Sequence, residues 1–314
     1  MNKIDQFQEE NHQSGFVALI GRPNVGKSTL LNKLVGEKIA ITSPVAQTTR
    51  QRLRAILTDR QSQIIFVDTP GIHKPHHLLG ERLVKSARSI IGEVDLILLI
   101  FDISSSPGRG DEYIVNLLKR HQIPVIVALN KVDLFSDEYL EKREKEYFNL
   151  ISNPLWSLYS CSAIRGNGCK ELTEKLTSLL PFGPPLYPKD MVSDQPEKVL
   201  ISELIREQVL HHTREEIPHS VAVMIEKMET VNSKRLMNKK ETTAILATIF
   251  VERKSQKGII IGKGGSMLKS IGSEARMQIQ ELIKRRVYLE LFVKVVPNWR
   301  TKPARLAELG YEEN

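Results

Sequence analysis

A glycine-rich loop near the N-terminus carries the residue types that bind phosphate. Gly21-Arg-Pro-Asn-Val-Gly-Lys27-Ser28 matches the pattern G-x-x-x-x-G-K-[ST]. It follows the apolar run 16–20 and precedes a helical pattern, so its backbone N–H groups can converge on phosphate oxygens at a helix N-terminus. Lys27 would contact the β and γ phosphates, and Ser28 would bind Mg²⁺. The residues predicted to bind nucleotide here are Gly21, Arg22, Pro23, Asn24, Val25, Gly26, Lys27, Ser28 and Thr29.

A second motif, Asp68-Thr-Pro-Gly71, directly follows the apolar run 63–67. An acid at the end of a strand can reach the metal ion that Ser28 would bind, and the N–H of Gly71 can donate to the γ-phosphate. The alternative interpretation is an ordinary Pro-Gly turn. The nucleotide-binding residues predicted here are Asp68, Thr69, Pro70, Gly71 and Ile72.

Two later motifs could recognise guanine. In Asn130-Lys-Val-Asp133, after the apolar run 124–129, the carboxylate of Asp133 can accept bonds from guanine N1 and N2, a donor pair that adenine lacks. A backbone N–H in Ser162-Ala163 could donate to guanine O6. The residues predicted to read the base are Asn130, Lys131, Val132, Asp133, Ser162 and Ala163.

In their order, these motifs resemble those of a translation-factor-related GTPase domain over residues 16–180. The resemblance implies that the segment 41–50, between the first helix and an edge strand, is a mobile switch loop. We predict that Thr49 closes on Mg²⁺, with Thr48 as the alternative, and that Ser28, Thr49 and Asp68 are the metal ligands. The predicted catalytic residues are Lys27, Thr49 and Gly71. Many small GTPases carry a water-orienting glutamine where this chain has Ile72, and isoleucine cannot hydrogen-bond a water. We expect slow hydrolysis without an activator, because no arginine finger can be assigned. Arg22 and Arg50 are candidates for an arginine finger that no pattern supports.

These motifs need a scaffold of alternating strands and helices. Apolar runs predict buried strands and amphipathic segments predict helices up to about residue 180, which indicates a mainly parallel sheet with helices on both faces. Three of the motifs directly follow predicted strands, so they should meet at the carboxyl edge of the sheet. The predicted strands are 16–20, 52–58 (an edge strand), 63–67, 96–101, 124–129 and 156–160, and the predicted helices are 27–35, 80–91, 111–121, 137–150 and 169–180.

The C-terminal third has a different organisation. After a proline-rich segment come a helix (198–215), two strands (219–228 and 242–253), a glycine loop, a helix (266–285) and a strand (287–296). A G-x-x-G loop between elements is what a KH domain uses to clamp single-stranded RNA, and the helix-first order predicts the smaller α+β type II form. The predicted RNA-binding residues are Ile261, Gly262, Lys263, Gly264, Gly265, Lys269, Lys284, Arg285 and Arg286.

Charge and composition agree with this division. The chain has 314 residues and a formal net charge of +8, and residues 196–314 contain 21 lysines and arginines against 15 acids, which favours a polyanionic partner. The two cysteines, Cys161 and Cys169, fit neither a metal-binding pattern nor a disulfide framework. The sequence has no apolar run of 18 residues and no signal peptide, so we expect a cytoplasmic protein.

Taken together, the motifs resemble those of the Era-type GTPases, in the TrmE–Era–EngA-related group of translation-factor-class P-loop GTPases. The resemblance covers about residues 14–303 and is carried by Gly21–Ser28, Gln47-Thr-Thr-Arg50, Asp68-Thr-Pro-Gly-Ile72, Ile261-Gly-Lys-Gly-Gly265 and the pair Trp299-Arg300. It implies a polar N-terminal tail (1–14), a GTPase domain (15–181), a proline-rich linker (182–197), a type II KH domain (198–297) and a C-terminal tail (298–314).

The resemblance also implies partners and cofactors. It implies binding of GTP and GDP with Mg²⁺, a K⁺ ion held near Asn24, and association with small-subunit rRNA near its 3′ end during assembly of the 30S subunit. It further implies peripheral contact with the inner membrane, and no DNA is expected. Two alternatives stay open at the level of sequence: an RNA-binding adaptor whose nucleotide site is catalytically idle, and a membrane-surface GTPase whose basic domain binds anionic lipid.

Overall fold

A mainly parallel sheet built from apolar runs organises the first unit. The computed structural model describes residues 12–43, 49–50, 52–72, 78–231 and 242–311. Within these residues, the strand order is β2-β3-β1-β4-β5-β6, and β2 alone runs antiparallel to its neighbour. The strands are β1 (Gln13–Ile20), β2 (Leu53–Thr58), β3 (Ser62–Asp68), β4 (Leu96–Asp102), β5 (Val125–Asn130) and β6 (Ser157–Cys161).

The first four helices of this unit lie between strands, and the fifth follows β6. They are α1 (Lys27–Val35), α2 (Leu78–Ser89), α3 (Arg109–Leu118), α4 (Asp137–Ile151) and α5 (Cys169–Ser178). Phe101 of β4 stacks on Tyr147 of α4, and both rings are buried in the same apolar core. The predicted α/β fold is confirmed. The predicted element ends shift by a few residues, as at β1, which begins at Gln13 inside the predicted tail.

The proline-rich segment differs from the predicted linker. Contacts divide the chain after Asp194, so residues 182–194 belong with the first unit. The N–H of Ile56 donates to the oxygen of Val192 at 2.9 Å, and Ser193 Oγ donates to the oxygen of Arg54 at 2.7 Å. The physical reason is that β2 is an edge strand whose free backbone groups can pair with a passing extended segment.

The second unit has a three-stranded sheet in its described residues. β7 (Ala222–Val231) is antiparallel to the central strand β8 (Thr242–Val251), and β9 (Arg286–Val295) is parallel to it. Its helices are α6 (Glu197–His212), α7 (Ile217–Ser220), α8 (Lys254–Ile261), α9 (Ser266–Ile283) and α10 (Pro303–Glu308). The predicted KH fold is confirmed, but the predicted order lacked α7, α8 and α10.

Contacts also group residues 41–43 with the second unit, although the predicted GTPase domain contained them. Ile41 is 4% exposed and lies in the apolar core that contains Ile201 and Ile205 of α6. The N–H of Thr42 donates to Glu207 Oε1 at 2.7 Å, which gives the buried carboxylate a partner. The second unit therefore includes a short segment from within the predicted GTPase domain, so the two units are not continuous stretches of the chain.

The predicted C-terminal tail is packed in its described part. Trp299 is 1% exposed, its ring stacks on Tyr311, and its Nε1 donates to the oxygen of Ser220 at 2.9 Å. The segment from residue 298, predicted as a C-terminal tail, is therefore anchored in its described part by a large buried ring. Among the described helices, none has the length and apolar composition needed to span a membrane.

Candidate functional site

The glycine-rich loop joins β1 to α1 and is shaped by two close approaches. Gly21 is buried, and a Cβ there would lie 2.5 Å from the oxygen of Ile100 on the neighbouring strand β4. Gly26 has φ 96°, and a Cβ there would collide with the side chain of Asn130. Glycine is needed at both positions because a side chain would displace the loop from its contacts with Ile100 and Asn130.

Lys27 occupies the first position of α1 and points back into the loop. Its side chain is 7% exposed, and Nζ donates to the oxygens of Arg22 at 3.0 Å and Gly21 at 3.3 Å. Burial lowers the pKa of Lys27 to about 8, while the nearby carboxylate of Asp68 raises it. The loop therefore holds a poorly solvated cation where a phosphate could replace backbone oxygens as its partner.

Ser28, Thr49 and Asp68 meet in the structure. Ser28 Oγ and Thr49 Oγ1 donate to Asp68 Oδ2 at 2.8 and 2.9 Å, and the two hydroxyls lie 2.9 Å apart. Burial raises the pKa of Asp68, while the charge of Lys27 and the two hydroxyl bonds lower it. Two hydroxyls and a carboxylate are oxygen ligands of the type that Mg²⁺ prefers, so this cluster fits the predicted metal site. Thr48, the alternative ligand, lies outside the described residues.

Gly71 and Ile72 follow β3 and lie close to the loop. A Cβ on Gly71 would be 2.6 Å from the nitrogen of Pro23, and the N–H of Ile72 donates to the oxygen of Gly21 at 3.2 Å. Thr69 Oγ1 donates to the oxygen of Leu19 at 2.7 Å. Ile72 is 2% exposed and packs in the apolar core, so its side chain cannot orient an attacking water.

Asn130 ties three of the predicted motifs together. Its Nδ2 donates to the oxygen of Val25 at 2.9 Å, and its Oδ1 accepts from the N–H of Ala163 at 2.9 Å. Ser162 Oγ donates to Asp133 Oδ1 at 2.6 Å, which orients the carboxylate predicted to read guanine. Three of the predicted motifs therefore lie together at one edge of the sheet, as predicted. They are the motifs that contain Val25, Asn130–Asp133 and Ser162–Ala163.

Asp102 is a residue of this site that sequence reasoning missed. It ends β4 beside Asn130, and its carboxylate pairs with Lys131 Nζ. Lys131 has φ 74°, and its Nζ also donates to the oxygen of Asn24 at 3.0 Å, so it lies across the phosphate loop. The available signal was an acid at the carboxyl end of a predicted strand.

The two candidate arginine fingers have different surroundings. Arg22 Nε pairs with Asp111 Oδ1 at 2.8 Å, and Asp111 is buried at the start of α3. This ion pair fixes Arg22 beside the loop. Arg50 is 3% exposed in the segment that follows Thr49.

The glycine loop of the second unit has the backbone that its sequence predicts. Gly262, Gly264 and Gly265 have φ of 72°, 60° and 80°, which side-chain-bearing residues rarely adopt. Lys263 is exposed in the loop, and Lys269 is exposed in the first turns of α9. Ile261, at the end of α8, packs against the unit's apolar core. The loop can therefore bring a cation and bare backbone close to a nucleic-acid strand.

The remaining basic residues predicted to bind RNA lie elsewhere. Lys284, Arg285 and Arg286 are exposed after the C-terminal end of α9, whereas the glycine loop precedes its N-terminal end. A helix of this length extends about 27 Å, since each residue adds about 1.5 Å. The structure therefore places these residues at the far end of α9 and does not bring them to the loop.

Comparison with known proteins agrees with this geometry. A family model described as "50S ribosome-binding GTPase" matches residues 16–131, and a KH-domain model matches residues 216–300. The chain is 55% identical over 302 residues to GTPase Era of Crocosphaera subtropica, covering 96% of this chain and 93% of the relative. It is 56% identical over 299 residues to GTPase Era of a Nostoc species, covering 95% of this chain and 90% of the relative.

Two solved structures superpose on nearly the whole chain. One is an Aquifex aeolicus Era variant bound to GDP and aluminium fluoride, and the other is Era in complex with MgGDPNP and nucleotides 1506–1542 of 16S ribosomal RNA. Each has a TM-score of 0.90 and 39% identity, and each alignment covers 96% of this chain and 99% of the other.

Proposed function

The chain belongs to the Era family of GTPases, and on this premise we propose that it is a nucleotide-controlled switch that binds small-subunit rRNA near the 3′ end and acts in 30S assembly. The observation that carries the proposal is the meeting of Ser28, Thr49 and Asp68 beside the phosphate loop. Thr49 lies in the predicted switch segment, so a metal ion that held Thr49 would couple the bound nucleotide to this segment. A related Era was solved with MgGDPNP and 16S rRNA together.

Mg²⁺, when bound by Ser28, Thr49 and Asp68, supplies positive charge to neutralise the phosphates. Lys27 exchanges its bonds to the oxygens of Gly21 and Arg22 for bonds to phosphate, which removes its desolvation cost. The N–H of Gly71 is assigned to the γ-phosphate. The attacking water is oriented by groups other than the Ile72 side chain, which is buried in the apolar core.

Base selection is assigned to Asp133, which is held by Ser162. The N–H of Ala163 donates to Asn130 Oδ1, so it would donate to guanine O6 by exchanging that bond. The glycine loop is assigned to the RNA backbone, with Lys263 supplying charge. GTP-ordered protein should engage RNA more tightly, and hydrolysis should release it. Family membership argues against the alternative of an idle nucleotide site.

The test is binding of the 1506–1542 RNA fragment to protein loaded with GDPNP or with GDP. We expect tighter binding in the GDPNP state, and loss of binding when Gly262→Asp and Lys263→Asp are combined. Lys254→Asp, at an exposed position at the start of α8, reverses one lysine charge as Lys263→Asp does and is the control. Wild-type binding by the double variant, or equal affinity in the two states, would contradict the proposal.

Two finer features are also proposed. Asn24 has φ 65° and lies exposed at the tip of the phosphate loop, where a K⁺ ion could bind beside the phosphates. Identical GTP turnover in KCl and NaCl would remove this role.

We also propose that the protein works in the cytoplasm and touches the inner membrane peripherally. Anionic liposomes should compete with the RNA fragment, and failure to sediment with them would exclude the membrane contact.

A further inference from the structure

The sheet of the second unit exposes two aromatic rings on its outer face. Tyr288 and Phe292 lie on the edge strand β9 and are 60% and 50% exposed. Leu291 points to the other face, since its Cδ1 lies 3.4 Å from where a Cβ on Gly272 of α9 would be. Because side chains alternate along a strand, Tyr288 and Phe292 share the face opposite α9.

Cations flank these rings along the same strand. Arg286 and Lys294 are exposed at the two ends of β9, on the face that carries the rings. Lys284 and Arg285 are exposed immediately before the strand. The acid Glu290 lies between the rings. A ligand that matches this row of side chains on β9 needs negative charges at intervals and flat surfaces between them. RNA has both features.

The spacing favours unpaired bases. Tyr288 and Phe292 are four residues apart, so their Cα atoms are separated by about 13 Å. That distance is too long for one base to lie between the rings, so each ring would stack on a different base. The neighbours in register on β8 are Ala244 and Thr248, whose small side chains leave room over the rings. Glu290 could accept a hydrogen bond from a base amino group.

The geometry points to a second RNA-contacting surface, in which a single-stranded segment lies along β9 with bases stacked on Tyr288 and Phe292 and phosphates near Arg286 and Lys294. This inference rests on the proposed function of RNA binding. The surface is distinct from the glycine loop because the rings lie on the face of β9 opposite α9, whereas Leu291 on the other face lies beside Gly272 of α9. A protein partner fits less well, because interface cores are depleted of charged residues and Glu290 separates the two rings.

The experiment measures affinity for the 1506–1542 RNA fragment with single substitutions on β9. Tyr288→Thr and Phe292→Thr remove one ring each and keep a residue that strands favour, so each should fold and weaken binding about 5- to 100-fold. Tyr288→Phe and Phe292→Tyr keep the ring and should stay within about 2-fold of wild type. Phe148→Ala is the control, because Phe148 is a 61% exposed aromatic residue of the first unit. Melting temperatures confirm that each variant is folded.

Photo-crosslinking locates the contact. With 4-thiouridine in the RNA, trypsin should release a crosslinked peptide spanning residues 287–294, since the chain is cut after Arg286 and Lys294. If the combined Gly262→Asp and Lys263→Asp variant loses binding while both threonine variants bind normally and residues 287–294 stay unlabelled, the inference is wrong and the proposed function stands. If wild-type protein does not bind the RNA, the proposed function itself fails. Threonine variants that change only the sedimentation coefficient would assign the surface to self-association instead.

Discussion

Asn130 Nδ2 donates to the carbonyl oxygen of Val25 at 2.9 Å, and this bond fastens the end of β5 to the phosphate loop. Asn130 is 1% exposed, and its Oδ1 accepts from the N–H of Ala163. Asn130→Ala would leave these buried groups unpaired, so we expect the free energy of unfolding to fall by about 2–4 kcal/mol. Chemical denaturation measures the loss, and fluorescent GDP titration should show an affinity weakened by roughly 10-fold or more.

The matched control is Asn149→Ala, at an exposed position on α4. Its stability and its GDP affinity should equal those of wild type. An Asn130→Ala protein that unfolds at the wild-type denaturant midpoint would show that the three motifs do not depend on this amide.

The convergence of these motifs could be predicted from sequence, because each one follows an apolar run and parallel strands end at one edge of the sheet. The individual bonds could not. The motif patterns gave no sign that Asn130 would bind Val25 and Ala163 at once, since this depends on the left-handed backbone of Gly26 and on strand register. Asp102 was missed for the same reason: its partner Lys131 becomes its neighbour only through the pairing of β4 with β5.

Base selectivity should move with Asp133. Asp133→Asn replaces an acceptor of two hydrogen bonds with a group that can donate, which suits the carbonyl edge of xanthine and not guanine. We expect GTP affinity to fall by at least about 100-fold and xanthosine triphosphate to become the preferred nucleotide. Competition titrations with both triphosphates measure the change in nucleotide preference. Retained strict preference for GTP would contradict the base-reading role, whereas Asp137→Asn, on the first turn of α4, should leave selectivity unchanged.

Nucleotide binding should depend on Lys27. Its amine is buried beside the loop oxygens, and Lys27→Ala removes the cation assigned to the β and γ phosphates. We expect no measurable binding of GTP or GDP, with a fold that persists by circular dichroism. Lys33→Ala provides the comparison, because Lys33 is exposed on the same helix. Micromolar nucleotide affinity in the Lys27→Ala protein would overturn the assigned contact.

The cysteines should resist thiol reagents. Burial raises the pKa of Cys161 to about 12, and burial also raises the pKa of Cys169. Because the thiolate is the reactive form, both thiols should react at pH 8 at least about 10-fold more slowly than an exposed cysteine introduced by Ser178→Cys. Unfolded thiols ionise near their usual pKa of 9.0, so the contribution of Cys161 to the free energy of unfolding should fall as pH rises above 9. Rapid labelling of the native protein would contradict this burial.

Helix α8 and the C-terminal segment show what the sequence could not predict. Gly258 and three isoleucines give residues 254–261 no helical periodicity, yet Gln256 Oε1 accepts from the N–H groups of Glu252 and Arg253 and fixes the helix start. Trp299 stood in a short polar stretch that resembled a tail. In both cases, tertiary contacts outweigh the local pattern.

The C-terminal segment should be a structural part of the second unit. Trp299 fills a buried position and donates from Nε1 to the oxygen of Ser220 at 2.9 Å. Trp299→Ala should lower the free energy of unfolding by about 3–5 kcal/mol, since it removes a large buried ring and leaves a cavity. Trp299→Phe keeps most of the apolar contact and loses the hydrogen bond, so we expect a loss of about 1–2 kcal/mol. Urea denaturation followed by circular dichroism measures both values, with Lys302→Ala as the exposed control. If Trp299→Ala unfolds at the same urea concentration as Lys302→Ala, the ring does not anchor the segment, because a buried indole cannot be removed from a packed core without loss of stability.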